Sequence, residues 1–333
     1  MSWSGPDGAT LTLAVLLALA VDRWLGEPPM RWHPVVWIGN YLGWTGRRIA
    51  PPATGAVPAK DLVAFARGAL AWCAGAIAVI WVALVLQSSL QGLPAWIEAI
   101  AFGLLLKPLL AWNLLKSEVI AVESALSESL QQGRERLSWL CSRDTSELSE
   151  TQVRETALES LAENLNDSVV APLFWFALAG LPGAALYRFA NTADAMWGYR
   201  GERNGRVWEW AGKWTAHADD LLSWLPARLT ALLLALAAGG VSPARLRREA
   251  LITPSPNGGW PMGALALALG VRLGKPGVYT LNATGRPPGP DDTERACALA
   301  GRALGLIGIS LLILALTQML SIGLWTEGRG WHG

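Results

Sequence analysis

Long apolar windows recur along the chain and predict helices that cross a membrane. Two of them, 68–97 and 303–326, contain no Asp, Glu, Lys or Arg. The windows 221–244 and 93–112 carry few charges and are also long enough, since a bilayer core of about 30 Å needs about 20 mainly apolar helical residues. A further apolar helix is expected at 8–21. The pattern therefore predicts an all-α, polytopic membrane protein.

The charge-free stretch 168–187 differs from these windows because helix-breaking residues interrupt it. It contains Pro172 and the sequence GLPG at 180–183, which predicts two half-helices in place of one continuous rod. Irregular backbone at membrane depth is tolerated where it is buried in protein or lines a cavity. We therefore expect a re-entrant hairpin here and a second re-entrant or half-spanning element within 221–270.

The distribution of basic residues orients the chain. Lys and Arg concentrate in the polar segments between the apolar windows, and the positive-inside rule favours the cytoplasmic side for such segments. Simple alternation of spans cannot place all of them there, which again requires re-entrant elements and puts the N-terminus in the periplasm. The segments concerned are 26–67, 114–167, 188–220 and 245–302.

Segment 114–167 is polar, is low in Gly and Pro, and has apolar residues at helical spacing, such as Val119 and Val122. It predicts a pair of cytoplasmic helices, inserted into a single integral membrane domain that comprises residues 1–333. The turn between the two helices is expected at 143–146, where Asp, Thr or Ser side chains can cap the second helix.

Composition supports a membrane protein and excludes some other classes. The 333 residues are 52% hydrophobic and only 16% charged, which is too apolar for an ordinary soluble domain. A net charge near +1 gives no attraction to nucleic acid. The three cysteines lie far apart, without the spacing of a zinc site. Nineteen tryptophans fit anchoring at the membrane interface, and core filling is the alternative.

Carboxylates at four-residue spacing mark the second predicted cytoplasmic helix. Glu155, Glu159 and Glu163 share one face, and Asn164 and Asp167 follow directly before an apolar run. Like charges at this spacing repel unless a cation neutralises them. A solvated acidic face is the alternative, and we favour it for Glu155. Because oxygen ligands suit magnesium held together with phosphates, we predict that Glu163 and Asp167 bind this metal.

A second polar cluster lies just beyond the predicted hairpin, so that a fold at 180–183 can bring it opposite the first. An ordinary polar loop is an equally open interpretation of this cluster. A third motif, SPNGG at 255–259, is typical of a turn. The second cluster comprises Asn191, Asp194, Arg200, Lys213, His217, Asp219 and Asp220.

The chain contains no GxSxG, no HExxH and no dinucleotide-binding glycine motif. The residues by themselves therefore lead as far as a membrane protein with an acidic, amide-rich site at the cytoplasm, where magnesium and phosphate are the expected ligands.

Seven strings, read in order along nearly the whole chain, resemble the CobD/CbiB family of cobalamin-biosynthesis membrane proteins. The resemblance implies ATP-dependent ligation of (R)-1-amino-2-propanol, or its O-phosphate, to the ring D propionate of adenosylcobyric acid. It further implies a location in the bacterial inner membrane, with the site facing the cytoplasm and with other membrane enzymes of the nucleotide-loop pathway as partners. The strings are DRWLGEP (22–28), HPV (33–35) with Gly39, RDT (143–145), ESLAENLNDSVVAPLF (159–174), GAALYRFANTADAMWGY (183–199), ADDLLSWLPARLT (218–230) and SPNGG (255–259).

The resemblance assigns expected roles to individual residues. Metal and phosphate chemistry falls to Glu159, Glu163, Asp167, Asp194, Asp219 and Asp220. Substrate binding falls to Arg143, Asn164, Asn191, Arg200, Lys213, Arg228, Ser255 and Asn257, of which the basic members hold phosphate or carboxylate and the asparagines orient amides.

Two observations keep alternatives open. His217 stands where the family usually has an arginine before the paired aspartates, and a neutral imidazole cannot replace a permanent cation. This departure puts the substrate preference in question. Broken helices and intramembrane charge are also typical of transporters, so a corrinoid or anion transporter or sensor is the alternative function. A transporter should show pseudo-symmetric halves, and the sequence shows none. A scaffold that recruits soluble enzymes would need neither carboxylate cluster.

Overall fold

The computed structural model describes residues 8–53 and 60–327, which form an almost entirely helical protein. Two small antiparallel hairpins accompany the helices, with Glu202 opposite Val207 in one and Leu273 opposite Leu281 in the other. The helices are α1 Gly8–Leu25, α2 Pro34–Ile49, α3 Leu62–Leu90, α4 Ala95–Leu106, α5 Trp112–Glu128, α6 Leu130–Leu137, α7 Glu150–Leu165, α8 Ala171–Trp197, α9 Lys213–Leu222, α10 Trp224–Ala237, α11 Pro243–Ala250, α12 Gly259–Leu269 and α13 Pro290–Glu327. The strands are β1 Glu202–Arg203, β2 Arg206–Val207, β3 Leu273–Lys275 and β4 Tyr279–Leu281.

Apolar helices long enough to cross a bilayer confirm the predicted fold class. Five helical runs within the described ranges meet this condition by length and composition: Gly8–Leu25, Leu62–Leu90, Ala95–Glu128, Glu150–Trp197 and Pro290–Leu314. The predicted window 221–244 differs, because α10 has only 14 residues, about 21 Å at 1.5 Å per residue. It meets α9 at a bend of 46°, so this region is a bent pair of helices in place of one straight span.

The α8 segment folds back on itself and forms the predicted re-entrant hairpin. A straight helix would hold Asp167 and Asn191 about 36 Å apart, whereas their side chains are hydrogen-bonded at 3.0 Å. The reversal occurs at Ala179 and Gly180, whose backbone angles are not helical. Gly180 has φ +64°, a conformation that suits glycine. We call residues 171–197 the re-entrant hairpin.

The tip of the re-entrant hairpin is attached to α3. Gln87 is buried near the end of α3, and its Oε1 accepts a hydrogen bond of 3.0 Å from the backbone N–H of Leu181. A side chain at Gly180 would meet the same amide group. The backbone group freed by the break is therefore satisfied inside the protein, as irregular structure at membrane depth requires.

Segment 114–167 contains three helices, so the predicted helix pair is wrong in number. The short α6 intervenes between α5 and α7, and the connection before α7 extends over 138–149. Ser149 caps α7 in a reciprocal capping box with Gln152, and this corrects the cap expected at 143–146. The predicted apolar face of α5 is confirmed, because Val119 and Val122 are buried.

The central element of the core is α7. Leu158, Leu161 and Leu165 are fully buried, and they belong to the largest apolar cluster together with residues of α1, α4, α10, α12 and α13. The first half of the re-entrant hairpin joins this cluster through Phe176, whose ring meets that of Phe102 edge to face at 6.2 Å. The carboxylates of α7 are therefore held on a helix that is packed on several sides.

Candidate active site

A π-helical turn, Asn166–Val170, joins α7 to the re-entrant hairpin and carries Asp167. Such turns are rare and occur frequently at functional sites. Arg188, from the second half of the hairpin, contacts the π-helical turn through a single guanidinium nitrogen. Its Nη1 donates to the carbonyl oxygen of Asp167 at 3.3 Å and to Ser168 Oγ at 3.1 Å. The return of the chain at Gly180 thus fixes the backbone beside the carboxylate.

The Asp167 carboxylate accepts hydrogen bonds from three side chains. Asn166 and Tyr187 donate to Oδ1 at 2.8 and 3.3 Å, and Asn191 donates to Oδ2 at 3.0 Å. The hydroxyls of Tyr187 and Ser223 are 3.0 Å apart, which links the hairpin to the junction of α9 and α10. Asp167 is therefore held in one orientation by uncharged donors.

A polar cavity of about 380 Å³ opens beside Asp167, a volume within the range of small-molecule sites. Its walls come from the end of α7, the π-helical turn, the end of the hairpin, α9 and the 254–261 turn. We call it the carboxylate pocket. It is lined by Glu163, Asn166, Asp167, Asp194, Gly198, Arg200, Ala216, Asp219, Asp220, Ser223, Pro254, Ser255, Pro256, Asn257, Gly258 and Pro261.

The charges around the carboxylate pocket are unbalanced. Its described lining includes five carboxylates and a single cationic side chain, that of Arg200, which is exposed at the wall. Asp219 Oδ1 is buried without a hydrogen-bond partner. An unpaired buried acceptor is costly, so the pocket is built to receive a cation or a hydrogen-bond donor. The carboxylates are those of Glu163, Asp167, Asp194, Asp219 and Asp220.

The SPNGG motif forms the predicted turn and also closes one wall of the pocket. Ser255 Oγ accepts hydrogen bonds from the backbone N–H groups of Asn257 and Gly258 at 3.2 and 3.0 Å. The Asn257 side chain donates to the carbonyl oxygen of Asp220 at 2.7 Å and accepts from Arg228 Nη1 at 2.7 Å. Both ends of this amide are already hydrogen-bonded, so Asn257 ties the wall to α9 and α10.

Comparison with known proteins accounts for this arrangement. The profile of the CobD/Cbib protein family matches residues 15–306, a range that contains every wall of the pocket. The chain belongs to this family. It therefore has a role in cobalamin biosynthesis, in a membrane-embedded, largely helical form.

Individual CobD proteins are similar over most of their length. The cobalamin biosynthesis protein CobD of Chromobacterium violaceum is 42% identical over 300 residues, which cover 87% of this chain and 92% of the relative. The probable CobD of Thermococcus kodakarensis is 40% identical over 303 residues, covering 90% and 95%. That of Rhodobacter capsulatus is 38% identical over 325 residues, again covering 90% and 95%. No solved structure matches.

Two glutamates earlier on α7 have surroundings different from those of the carboxylates in the carboxylate pocket. Glu155 is buried and paired with Arg272 at 3.1 Å, so the solvated position favoured for it is wrong. Glu159 is 1% exposed and paired with Arg143 Nη2 at 3.0 Å, and Arg143 also donates to Thr156. Neither Glu159 nor Arg143 lines the carboxylate pocket. The stripe of glutamates is therefore divided into a paired half and an open half.

Tyr279 of β4 lies close to the paired half of the stripe. Burial, together with the neighbouring Glu159 carboxylate, raises the pKa of the Tyr279 phenol. The hydroxyl therefore stays protonated at physiological pH and remains a hydrogen-bond donor. Burial likewise raises the pKa of the nearby Cys141 thiol, an effect that Arg143 partly opposes.

Five other residues of the predicted clusters lie outside the described pocket lining. Asn191 is one of them, although its side chain donates to Asp167 Oδ2 at 3.0 Å. Asn164 donates to the carbonyl oxygen of Ser160 one turn back, and Lys213 stacks on the Trp210 ring at 4.1 Å. Arg228 packs on Trp224 and Trp260 while bonding the turn, and His217 is exposed on α9. The roles in substrate binding expected for Asn164, Asn191, Lys213 and Arg228 stay predictions.

Two family strings near the N-terminus, DRWLGEP and HPV, supply a separate buried charge cluster. Lys107 Nζ lies 3.1 Å from Asp22 Oδ1 and 2.8 Å from Glu27 Oε1, at angles that are not those of hydrogen bonds. Glu27 Oε2 lies 3.1 Å from His33 Nε2. Asp22 Oδ2 also accepts from the N–H of Asn113 at 2.8 Å. The cluster joins the ends of α1 and α4 to the starts of α2 and α5.

Several residues that shape the pocket escaped the sequence analysis. Tyr187, Arg188, Ser223 and Asn166 contribute through contacts with residues 20 or more positions away or through the π-helical turn. Helical spacing gives no signal for such contacts. Their positions inside the family-like strings at 159–174, 183–199 and 218–230 were the available signal.

Proposed function

We propose that this member of the CobD/Cbib family joins the ring D propionate of adenosylcobyric acid to (R)-1-amino-2-propanol or its O-phosphate, with ATP as co-substrate. The observation that carries the proposal is the carboxylate pocket, whose five carboxylates face one guanidinium. A site of this charge suits an ammonium group and a magnesium-bound polyphosphate. A carboxylate is a poor acyl donor, so ATP is needed to convert it into an acyl phosphate.

The donor set fits a magnesium ion that is shared with phosphates. Glu163 and Asp167 offer oxygen ligands of the type that magnesium prefers, and Asp219 has a buried oxygen without a partner. Within the part of the chain that the structure describes, no group of three or more His, Cys, Asp or Glu side chains is arranged to hold a metal. Phosphate oxygens would have to complete the coordination. The ion would supply neutralising charge for the phosphates.

The chemistry proceeds in two displacements. A carboxylate oxygen of the corrinoid forms a bond to the γ-phosphorus of ATP, and the bond to the β,γ-bridging oxygen breaks, releasing ADP. The amine nitrogen then bonds to the acyl carbon, the acyl C–O bond to phosphate breaks, and inorganic phosphate leaves. The amine must lose its protons, and we assign their acceptance to Asp219 and Asp194, which line the pocket beside Asp220.

Other residues of the pocket position these reactants. Arg200 is placed to bind a phosphate group at the open side, where its planar guanidinium can donate two hydrogen bonds to phosphate oxygens. The hydrogen bonds from Tyr187 and Asn191 hold the Asp167 oxygens in place without neutralising them. Ser255 and Asn257 form the facing wall.

Reconstitution tests the proposal directly. The purified protein in phospholipid vesicles is given adenosylcobyric acid, magnesium and ATP, with either (R)-1-amino-2-propanol or its O-phosphate, and products are identified by mass spectrometry. The proposal expects a corrinoid amide and one ADP per amide, with the preferred amine found by comparing rates. Corrinoid movement across the vesicle membrane without amide formation or ADP release would support the transporter alternative.

We also propose that the carboxylate pocket faces the cytoplasm of a bacterial inner membrane, where ATP is available. Cys141 lies close to Arg143 and to the stripe of glutamates on α7, so its accessibility reports the side of this region. Membrane-impermeant maleimide should label Cys141 in inverted vesicles and leave it unlabelled in intact spheroplasts. A Cys73→Ala, Cys297→Ala background removes the other thiols. Labelling of Cys141 in intact spheroplasts would contradict this orientation.

A further inference from the structure

An apolar groove of about 680 Å³ lies on the side of the re-entrant hairpin away from the carboxylate pocket. Its walls come from the start of α2, the middle of α3, the end of α4 and the second half of the hairpin. The described lining residues include no charged side chain. Ala78, Val82 and Ala185 are typical of its surface. The groove is therefore a separate feature from the carboxylate pocket.

Neither water nor empty space suits this groove. Water in a cavity needs two to four polar partners, and the Tyr41 hydroxyl in its wall already donates to the carbonyl oxygen of Ala71 at 2.7 Å. An unfilled void loses dispersion contacts along its whole surface. An apolar occupant needs no polar partner and restores the dispersion contacts along the groove.

The position and length of the groove identify the occupant. Val82 and Leu86 are in its wall and are 50% and 39% exposed, and they continue into the exposed apolar face of α3 at Ile77 and Trp81. Because α3 is a candidate membrane span, the groove opens towards lipid. From Gly75 to Leu86 it extends about 17 Å along α3, close to half of a hydrocarbon core of about 30 Å.

We propose that the acyl chain of a membrane phospholipid occupies this groove. Leu181, Ala185 and Phe189 of the re-entrant hairpin form one wall, while Tyr187, Arg188 and Asn191 of the same half-helix contact Asp167 or the π-helical turn. The lipid acyl chain would therefore pack against the half-helix whose other side holds Asp167. Lipid thereby becomes a structural component of the site, through contacts that are independent of the reaction proposed above.

Native mass spectrometry of the intact protein, before and after exchange into a delipidating detergent, tests the proposal. The wild type should retain one phospholipid through the exchange. Ala78→Phe fills the groove from α3 and should lose that lipid. Ala74→Phe is the matched control, since Ala74 is exposed one turn away on the same helix and outside the described groove lining, and it should retain the lipid. Re-adding phospholipid should raise the unfolding temperature of the wild type and of Ala74→Phe only.

Two results would overturn the proposal. One is equal lipid retention by Ala78→Phe and the wild type, and the other is a wild type that carries no lipid. A lipid-free dimer that Ala78→Phe dissociates would identify a second copy of the chain as the occupant. If Ala78→Phe does not fold, Val82→Phe, which enters the groove from an exposed position, serves in its place.

Discussion

Two groups of carboxylates in this protein have opposite surroundings. In the buried charge cluster, Asp22 and Glu27 are both in contact with Lys107, and Glu27 also contacts His33. In the carboxylate pocket, Asp219 keeps an oxygen without any partner, and five carboxylates share one exposed guanidinium. Removing charges from water costs several kcal/mol per ion unless they are paired. The first group therefore belongs to the fold, and the second requires a ligand.

The same division occurs within a single helix. Glu155 and Glu159 of α7 are paired with arginines, whereas Glu163, one turn further, is exposed in the pocket and has no ion pair among the described residues. Spacing along the sequence is identical for the three. Their difference comes from what the rest of the fold brings opposite each turn, so pairing, more than position, separates the carboxylates that are already neutralised from the one that is open to a ligand.

The largest effect is expected at Lys107. Lys107→Met leaves Asp22, which is 1% exposed, without its cation, and breaking a buried pair from one side typically costs about 3–5 kcal/mol. We expect a large loss of thermal stability in detergent and poor accumulation in the membrane. Adding Asp22→Asn should recover part of the stability. A wild-type unfolding temperature for the single variant would contradict a structural role for the cluster.

A carboxylate of the pocket should behave in the reverse way. Asp219→Asn should lower the rate of amide formation about 100-fold or more, because an amide cannot accept the amine proton that the proposal assigns to Asp219, and a positioned proton acceptor contributes about 100- to 10,000-fold. Its unfolding temperature should stay unchanged or rise, because neutralising an unpaired charge relieves repulsion from the neighbouring carboxylates. Near-normal amide formation would remove Asp219 from the proposed chemistry.

Magnesium and ATP should stabilise the wild type through Glu163 and Asp167, the two carboxylates proposed to bind the ion. A ligand present at 100 times its Kd adds about 2.7 kcal/mol of stability, which a thermal scan detects easily. Glu163→Gln should lose this response to magnesium with ATP while keeping its unfolding temperature without ligand. Asp167→Asn should also lose the response, but it should be less stable without ligand, because its amide NH2 group would face a donor from Asn191 or from Asn166 and Tyr187. An undiminished response in Asp167→Asn at limiting magnesium would mean that the ion binds elsewhere.

The smallest effect is expected at Glu150, on the same helix as the pocket residues. Glu150 pairs with Arg154 four residues later, but its side chain is 59% exposed, and exposed pairs contribute about 0–1 kcal/mol. Glu150→Gln should leave both stability and amide formation close to wild type. This variant is also the matched control for Glu163→Gln on α7. A large loss of amide formation in Glu150→Gln would mean that paired and open glutamates of this helix do not differ in their importance for activity.

The fold could be predicted from the sequence where local pattern decides the structure. Charge-free windows predict apolar helices, and GLPG at 180–183 predicts the reversal of the hairpin. The pocket could be predicted in part, because Glu163 and Asp167 share a helical run with Asn166 and the reversal brings Asp194 back to them.

Long-range pairing could not be predicted in this way. Glu155 and Glu159 have the same spacing and similar neighbours in sequence as Glu163. Only the packing of Arg272 and Arg143 against α7 separates them, across 117 and 16 positions of the chain. The pairing of Lys107 with Asp22 likewise joins distant segments, and no periodicity in a single sequence reports it.

The contact at the tip of the re-entrant hairpin also bears on how the protein is made. The N–H of Leu181 is satisfied by Gln87, which precedes it by 94 residues. A ribosome delivers α3 to the membrane long before the hairpin emerges, so the acceptor is in place when the hairpin enters. In hydrocarbon an unsatisfied backbone group costs several kcal/mol. Synthesis from N-terminus to C-terminus thus provides the hydrogen-bond acceptor on α3 before the hairpin inserts. In a circularly permuted variant whose hairpin is synthesised before α3, the hairpin would have to insert without this acceptor.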